Sequence, residues 1–415
     1  MGLTHSFPLE ESLHQLGSKA NAKAWHLFLQ QGLPTKQLEA FSYVGFDKLY
    51  HKSFSCDLKQ QAMTVEDLPK SLSPLRFVLL DGVLNKELSS LELLPEQVIY
   101  GSIQQAKQDF SSLLQNLEDR FYEEKGLNGL DFFNEACYAE GFFLYIPPKC
   151  IVLHPIECLH VFTQEVSPAK SLIFVGKGAE VEFIHKRYGS CAILATSRQE
   201  YHLEAGSHCN VILDSSEVCS PFFEKIIARL KKDSHLSMCQ ISQGSVCFRQ
   251  EFTVDLLEEN SEVELKGICA PSGSNQHHVF ITVNHHAMQC RSYQHFKCLL
   301  NESAKASFEG KIWVAQQADK TQAYQLCNHL VLSPKAHAFA KPNLEIFADD
   351  VKASHGATIA QLSEEDLFYL QARGLKAQEA KELLIKGFYR EITQHLSLDL
   401  QTKIEKVFFG GSQSV

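Results

Sequence analysis

Between about residues 141 and 348 a turn residue is followed, six times, by apolar or small side chains three and five positions later. Gly178 precedes Val181 and Phe183, Gly206 precedes Cys209 and Val211, and Asp233 precedes Leu236 and Met238. Asn260 precedes Val263 and Leu265, Ser303 precedes Ala306 and Phe308, and Ser333 precedes Ala336 and Ala338. A spacing of two puts each pair on one face of a strand. The starts are 28, 27, 27, 43 and 30 residues apart, and the long interval holds APSGSNQHH, which reads as an inserted loop. A return every ~27–30 residues is the span of one coil of a parallel β-solenoid with several strands per coil. At about 4.8 Å per coil, roughly seven coils make a rod about 35 Å long. An antiparallel sandwich alternates in the same way. The near-constant turn interval, and the lack of helices for βαβ crossovers, favour the solenoid.

The flanks differ from this core. Residues 1–140 read as a mainly helical N-terminal domain, 141–358 as the β-helix and 359–415 as a C-terminal helical domain. In the first, AKAWHLFLQQGLP forms a short amphipathic helix that Gly32 and Pro34 stop. RFVLLDGVLNKEL forms two strands around Asp81-Gly82, a dipeptide suited to a tight hairpin. In the last, Ser363 and Asp366 begin a helix as N-cap and N3 residues, and Gly374 ends it. A second helix runs through KAQEAKELLIKGFYREITQHL, with Ala380, Leu383, Leu384, Phe388, Ile392 and Leu396 on one stripe and Glu382 and Lys386 as an i,i+4 pair on the other side. That stripe serves either as a cap folded back on the rod or as a docking surface.

Composition narrows the function. With 44% apolar and 21% charged residues the chain is ordinary globular material. A net charge of -10 argues against a nucleic-acid partner, which needs a basic footprint. No apolar run reaches the ~18 residues of a membrane span, and the N-terminus lacks the pattern of a secretory signal. Gly2 with Ser6 fits the loose myristoylation pattern. The 13 cysteines are odd in number and form no CxxC. They point to a reducing cytoplasm in which most thiols act as small buried groups.

Catalytic signatures are missing. FVGKGAEV lacks the hydroxyl and spacing of a phosphate-cradling loop, so nucleotide hydrolysis is not expected of this chain. There is no HExxH, GxSxG or dinucleotide turn. Solenoids also host polysaccharide lyases and hydrolases with acids clustered across coils, and that is the rival reading. Asp349 and Asp350 are adjacent, so on a strand they diverge. His277, His278, His285, His286, Cys290, His295 and Cys298 are good zinc or iron ligands by type, yet their spacing matches no compact site.

FEGKIWVAQQADKTQAYQLCNHLVLSPKA, followed by KPNLEIFADDVKASHGATIAQLSEEDLFYLQARGL, resembles the SufB/SufD family of iron–sulfur cluster assembly scaffolds. The ADDVK-x-SHGAT and LFYL-x-x-RG segments are similar to SufD rather than SufB, and the likeness is strongest over residues 295–392. It implies a right-handed parallel β-helix with helical ends. It also implies pairing with a SufB-like chain through the C-terminal coils, or a homodimer in isolation, and docking of a SufC-like ATPase by the C-terminal helices. Leu383, Leu384 and Phe388 are the docking candidates. The chain itself is then a scaffold and not an enzyme. It holds no permanent cofactor, and the cluster passes through the complex transiently. Within SHGAT the resemblance gives His355 a role at the SufB–SufD seam, as a transient iron ligand or a proton shuttle. Three positions depart from the family pattern. Ala353 stands where cysteine is frequent, Gln322 where an acid is usual and Ala360 where glycine is usual. Any thiol needed at the seam must then come from SufB.

Overall fold

The computed structural model describes residues 8–17, 20–53, 63–189, 192–394 and 396–409. Gly2 and Ser6 lie outside them. The helices are α1 (Pro8–His14), α2 (Ala22–Gln31), α3 (Asp47–Tyr50), α4 (Ile103–Asp109), α5 (Ser111–Glu123), α6 (Gly129–Cys137), α7 (Glu364–Ala372), α8 (Ala377–Thr393) and α9 (Leu398–Phe409). The first strands are β1 (Leu75–Leu80), β2 (Val83–Ser90), β3 (Ile99–Ser102), β4 (Phe142–Ile146), β5 (Ile156–Val161) and β6 (Val166–Val175). There follow β7 (Glu180–Gly189), β8 (Leu194–Leu203), β9 (His208–Val218), β10 (Phe222–Leu230), β11 (His235–Ser242), β12 (Phe248–Leu256) and β13 (Glu262–Cys269). The last are β14 (Gln276–His285), β15 (Arg291–Leu300), β16 (Lys305–Val314), β17 (Thr321–Val331), β18 (His337–Ile346) and β19 (Val351–Ala360).

These strands form a parallel β-solenoid of about seven coils. From β5 onward they alternate between two sheets. The odd-numbered strands form one sheet, in the order β19-β17-β15-β13-β11-β9-β7-β5-β1-β2, and the even-numbered strands build the other, from β18 down to β4 and then β3. Every neighbouring pair from β5 to β19 is parallel; in the solenoid core only the β7–β9 register is interrupted, between Lys186 and Tyr188. Inward side chains from both sheets make one apolar column, including Phe183, Val211, Met238, Leu265, Phe252, Ile281 and Phe308.

One backbone event recurs on every coil. Lys149, Gly178, Gly206, Asp233, Asn260, Gln289 and Lys320 all have φ between 57° and 67°. At each of these positions the chain enters a strand of the odd-numbered sheet, except at Lys149, which leads into the isolated bridge of Ile151 with Glu180 ahead of β5. The first four turns of the sequence series therefore belong to one sheet. Ser303 and Ser333, however, precede β16 and β18 of the other sheet. The 43-residue interval is thus a change of sheet and not an insertion. The connection within APSGSNQHH spans only 270–275, and Gln276 and the two histidines after it already belong to β14. Gln289 and Lys320 continue the true series.

The two ends of the rod are unlike. At the N-terminal end, β2 and β3 pair antiparallel with β1 and β4. Between them Leu91, Leu94 and Val98 lie against the interior. The β1–β2 turn has Asp81 and Gly82 at φ 48° and 82°, as a tight hairpin requires. Helices α1, α2, α3 and α6 pack over the outer face of the even-numbered sheet through Leu13, Phe28, Phe133, Leu194 and Phe223. Buried ion pairs join this layer to the sheet: Lys170–Glu135 at 2.7 Å, Lys225–Asp131 at 3.2 Å and Arg198 with Glu124 at 2.5 Å. Helices α8 and α9 cover the outer face of the odd-numbered sheet, with Ile385, Tyr389, Ile392 and Ile404 against Ile241, Ile268, Leu299 and Leu330. Among the described residues no helix is long and apolar enough to cross a membrane.

Candidate functional site

Among the described residues, no further coil covers the C-terminal end of the rod. β18 and β19 each pair with one strand only. His337 and Phe347 donate their N–H groups back to Ala304 and Val314. Backbone direction alternates along a parallel strand, so Ala338, Ala340, Leu344 and Ile346 turn theirs to the open edge. Pro342 stands among them, at a position where no ladder bond is lost. In the other sheet Glu262, Arg291 and Gln322 each donate to the preceding coil. Lys352 stands in register with Gln322. The backbone groups of Ala353, His355 and Ala357 therefore also face the edge.

The same residues project inward. His355 is in register with Gln325, and Gln325 with Gln294. The Gln325 amide donates from Nε2 to Gln294 Oε1 at 2.7 Å. It crosses to the opposite sheet at Gly310, where a Cβ would collide with it. Its Oε1 is buried and has no partner. His355 is exposed because the coil that would cover it is absent. Around it the last layer is apolar and small: Val351, Ala353 and Ala357 from β19, and Ala340, Pro342 and Leu344 from β18. At the margins Phe347 and Ile359 are 60% and 53% exposed. The rim thus combines two unpaired strand edges, a shallow apolar floor and one exposed imidazole. An exposed imidazole has the ring nitrogens to ligate a metal such as iron or to pass a proton. Ala353 faces the same floor and offers neither. Asp349 and Asp350 are exposed in the turn before β19, not on a strand.

The other histidines and cysteines scatter. His277 stacks on Phe248 at 4.9 Å, His278 bonds Ser307 at 2.8 Å and His285 bonds Ser292 at 2.9 Å. His286 bonds Asp255 at 3.2 Å and His295 bonds Asn328 at 3.0 Å. Cys290 meets Ser261, and Cys298 meets Cys269. Burial pushes His277 and His285 down to about 3, so both are neutral. Among the described residues no group of three or more His, Cys, Asp or Glu is arranged to hold a metal ion.

The C-terminal helices divide into a packed and an unpacked part. Ser363 caps α7 by accepting from the Asp366 N–H at 3.1 Å. No residue of α7 is buried; Phe368 and Tyr369 are 74% and 56% exposed. On α8 the buried stripe is Ala380, Ile385, Tyr389, Ile392 and Thr393. It is rotated from the stripe the sequence suggests. Leu383 is 49% exposed, while Leu384 and Phe388 are half-buried. Glu382 accepts from Gln378, and Lys386 reaches Glu405 of α9 at 3.4 Å. Lys297 fixes the rotation: its Nζ donates to the Phe388 carbonyl at 2.7 Å and to Glu391 at 2.8 Å.

The Gln294–Gln325–His355 ladder is not apparent from the sequence. Its signal is the recurrence of about one coil between the three residues, which emerges once Gln289 and Lys320 are known as turn positions.

Known proteins share this chain's sequence over most of its length. Residues 160–388 match a family model described as SUF system FeS cluster assembly, SufBD core domain, and residues 8–158 match the SufBD protein N-terminal region. An iron–sulfur cluster assembly SufBD family protein of Synechocystis is 29% identical over 346 residues, 78% of this chain and 74% of the relative. Protein ABCI7, chloroplastic, of Arabidopsis thaliana is 29% identical over 342 residues, 76% of this chain and 69% of the relative. The iron–sulfur cluster assembly protein SufD of Escherichia coli is 35% identical over 153 residues, 37% of this chain and 36% of that protein.

Proposed function

Because the chain belongs to the SufB/SufD family of iron–sulfur cluster assembly proteins, we propose that it is a SufD-type scaffold subunit whose open rim joins a SufB-type chain. One observation carries this reading: among the described residues the last coil leaves both its strand edges and its inward-facing layer uncovered, whereas at the opposite end Leu91, Leu94 and Val98 close the interior. Unpaired edges of this length are a liability unless another chain pairs with them. A homologous rod ending in the same way supplies matching edges. His355 then lies at the seam, where it ligates iron or moves a proton while the cluster, the cargo of the complex, is built. Ala353 brings no thiol, so the sulfur ligands come from the partner.

ATP hydrolysis belongs to a SufC-type partner in this scheme, and the C-terminal helices are its dock. The wholly unburied α7 supports that role, as does Leu383 on the outer side of α8. Leu384 and Phe388 complete the docking set from a half-buried position. The cytoplasmic setting expected from the cysteines is part of the same proposal, although one relative is named chloroplastic.

The test is co-expression with SufB-type and SufC-type subunits. His355→Ala is expected to leave the complex assembled and to abolish cluster reconstitution, followed by visible absorbance and bound iron. Full reconstitution by His355→Ala, together with loss of the ATPase in Leu383→Asp, would reduce the chain to a structural adaptor. Failure to recover either partner, with turnover of a uronic-acid polymer instead, would restore the polysaccharide reading.

A further inference from the structure

Inside the rod, one coil below the last complete one, two thiols face each other. Cys269 of β13 and Cys298 of β15 are direct ladder partners. Both point inward and are 5% and 4% exposed. Their sulfurs are 2.6 Å apart, far inside the ordinary separation of two non-bonded sulfur atoms. Register-matched residues on neighbouring parallel strands stand about 4.8 Å apart, within the Cα range a disulfide spans. No backbone movement is needed to join them.

A void of about 10 Å³ adjoins both sulfurs and is lined also by Cys327, His329, Phe296 and His277. At that size it holds no more than a single water. Toward the rim the column continues with His329 in register above Cys298, then Ile359. Cys327 lies 3.3 Å from His329 Nε2. Burial and the neighbouring thiol push Cys298 well up, so its resting form is the thiol.

We propose that Cys269 and Cys298 form an oxidisable pair that closes into a disulfide between consecutive coils when the protein meets a peroxide. One thiol attacks a peroxide oxygen, the O–O bond breaks and a sulfenic acid and water form. The second sulfur displaces the hydroxyl as a second water. Two S–H bonds and one O–O bond are lost, one S–S bond is gained, and both thiol protons leave in water. The thiolate is the attacking species, so closure is slow at neutral pH and faster in alkali. The bond ties together β13 and β15, which lie 29 positions apart in sequence, and removes freedom from the unfolded chain.

The reduced full chain is exposed to hydrogen peroxide and its remaining thiols are blocked with N-ethylmaleimide in denaturant. The unreduced tryptic digest is then read by mass spectrometry. A peptide pair joining Cys269 to Cys298 is expected, two hydrogens lighter than its parts and lost on adding dithiothreitol. Peroxide should also raise the melting temperature of the native sequence and of Cys327→Ser, but not of Cys298→Ser. Recovery of both cysteines as maleimide adducts from peroxide-treated folded protein would overturn the proposal. So would a linkage from Cys298 to Cys327 in place of Cys269.

Discussion

Gly267 shows how closely the inward side chains of successive coils depend on each other. It faces the interior on β13, directly in register with Phe296 of β15, and a Cβ at this position would overlap the Phe296 ring. That ring is buried and contacts Phe252 and Phe308, and it can yield only into the void of about 10 Å³ beside it. Gly267→Ala is expected to destabilise by ~1–3 kcal/mol, the usual cost of overpacking. In a Phe296→Leu background the penalty should shrink, because the two residues share one space; urea unfolding of the four proteins measures the difference. The turn residues mark the limit of reading such positions from sequence. Gly178, Gly206, Asp233 and Asn260 announce a left-handed backbone, being types that accept it. Gln289 and Lys320 adopt the same φ without belonging to those types. The coil ladder imposes it on them. The series consequently slips to Ser303 and Ser333 on the other sheet, and the stacking of Gln294, Gln325 and His355 is lost from view. The SHGAT string and the alternation around it identify the rim histidine, but the amide ladder beneath it is a product of stacking alone.

Among the elements, α8 is the clearest case of a helix legible in kind but not in orientation. Its apolar residues occupy more than one face, and periodicity offers no choice among them. The tie from Lys297 to the Phe388 carbonyl and Glu391 makes the choice, turning Ile385, Tyr389 and Ile392 onto the sheet and Leu383 away. The Lys297 ammonium also lies 5.0 Å from the Phe388 ring centroid. Ile385→Ala should cost ~2–4 kcal/mol by leaving a cavity under the helix. Leu383→Asp should change stability by less than ~0.5 kcal/mol, as for an ordinary surface position, while weakening capture of the SufC-type ATPase proposed to dock there. Thermal melting and a pulldown on the same two variants separate packing from docking. If Leu383→Asp melts like Ile385→Ala, the helix is packed differently from the arrangement described.

At the scale of the whole molecule, many imidazoles are sealed in the rod, and acid should find them. Burial pushes His160, His277 and His285 down to about 3 and His329 to about 4. In the unfolded chain each titrates near 6.5. Between those limits the unfolded state binds the extra proton, so stability is full above about pH 6.5 and falls as the pH drops toward 3. Each such histidine contributes a slope of up to ~1.4 kcal/mol per pH unit. The urea midpoint should therefore fall steeply from pH 7 to pH 5, and more gently in a His285→Asn variant. A flat profile over that range would mean that these rings are reached by water. The difference between the two ends of the rod has a consequence of another kind. Leu91, Leu94 and Val98 plug the interior at one end, so among the described residues only the other end presents an open inward-facing layer. A body with a single sticky terminus has a valence of one. If the proposed partner caps that end, assembly along the axis closes at a pair, where two open termini would string rods into filaments.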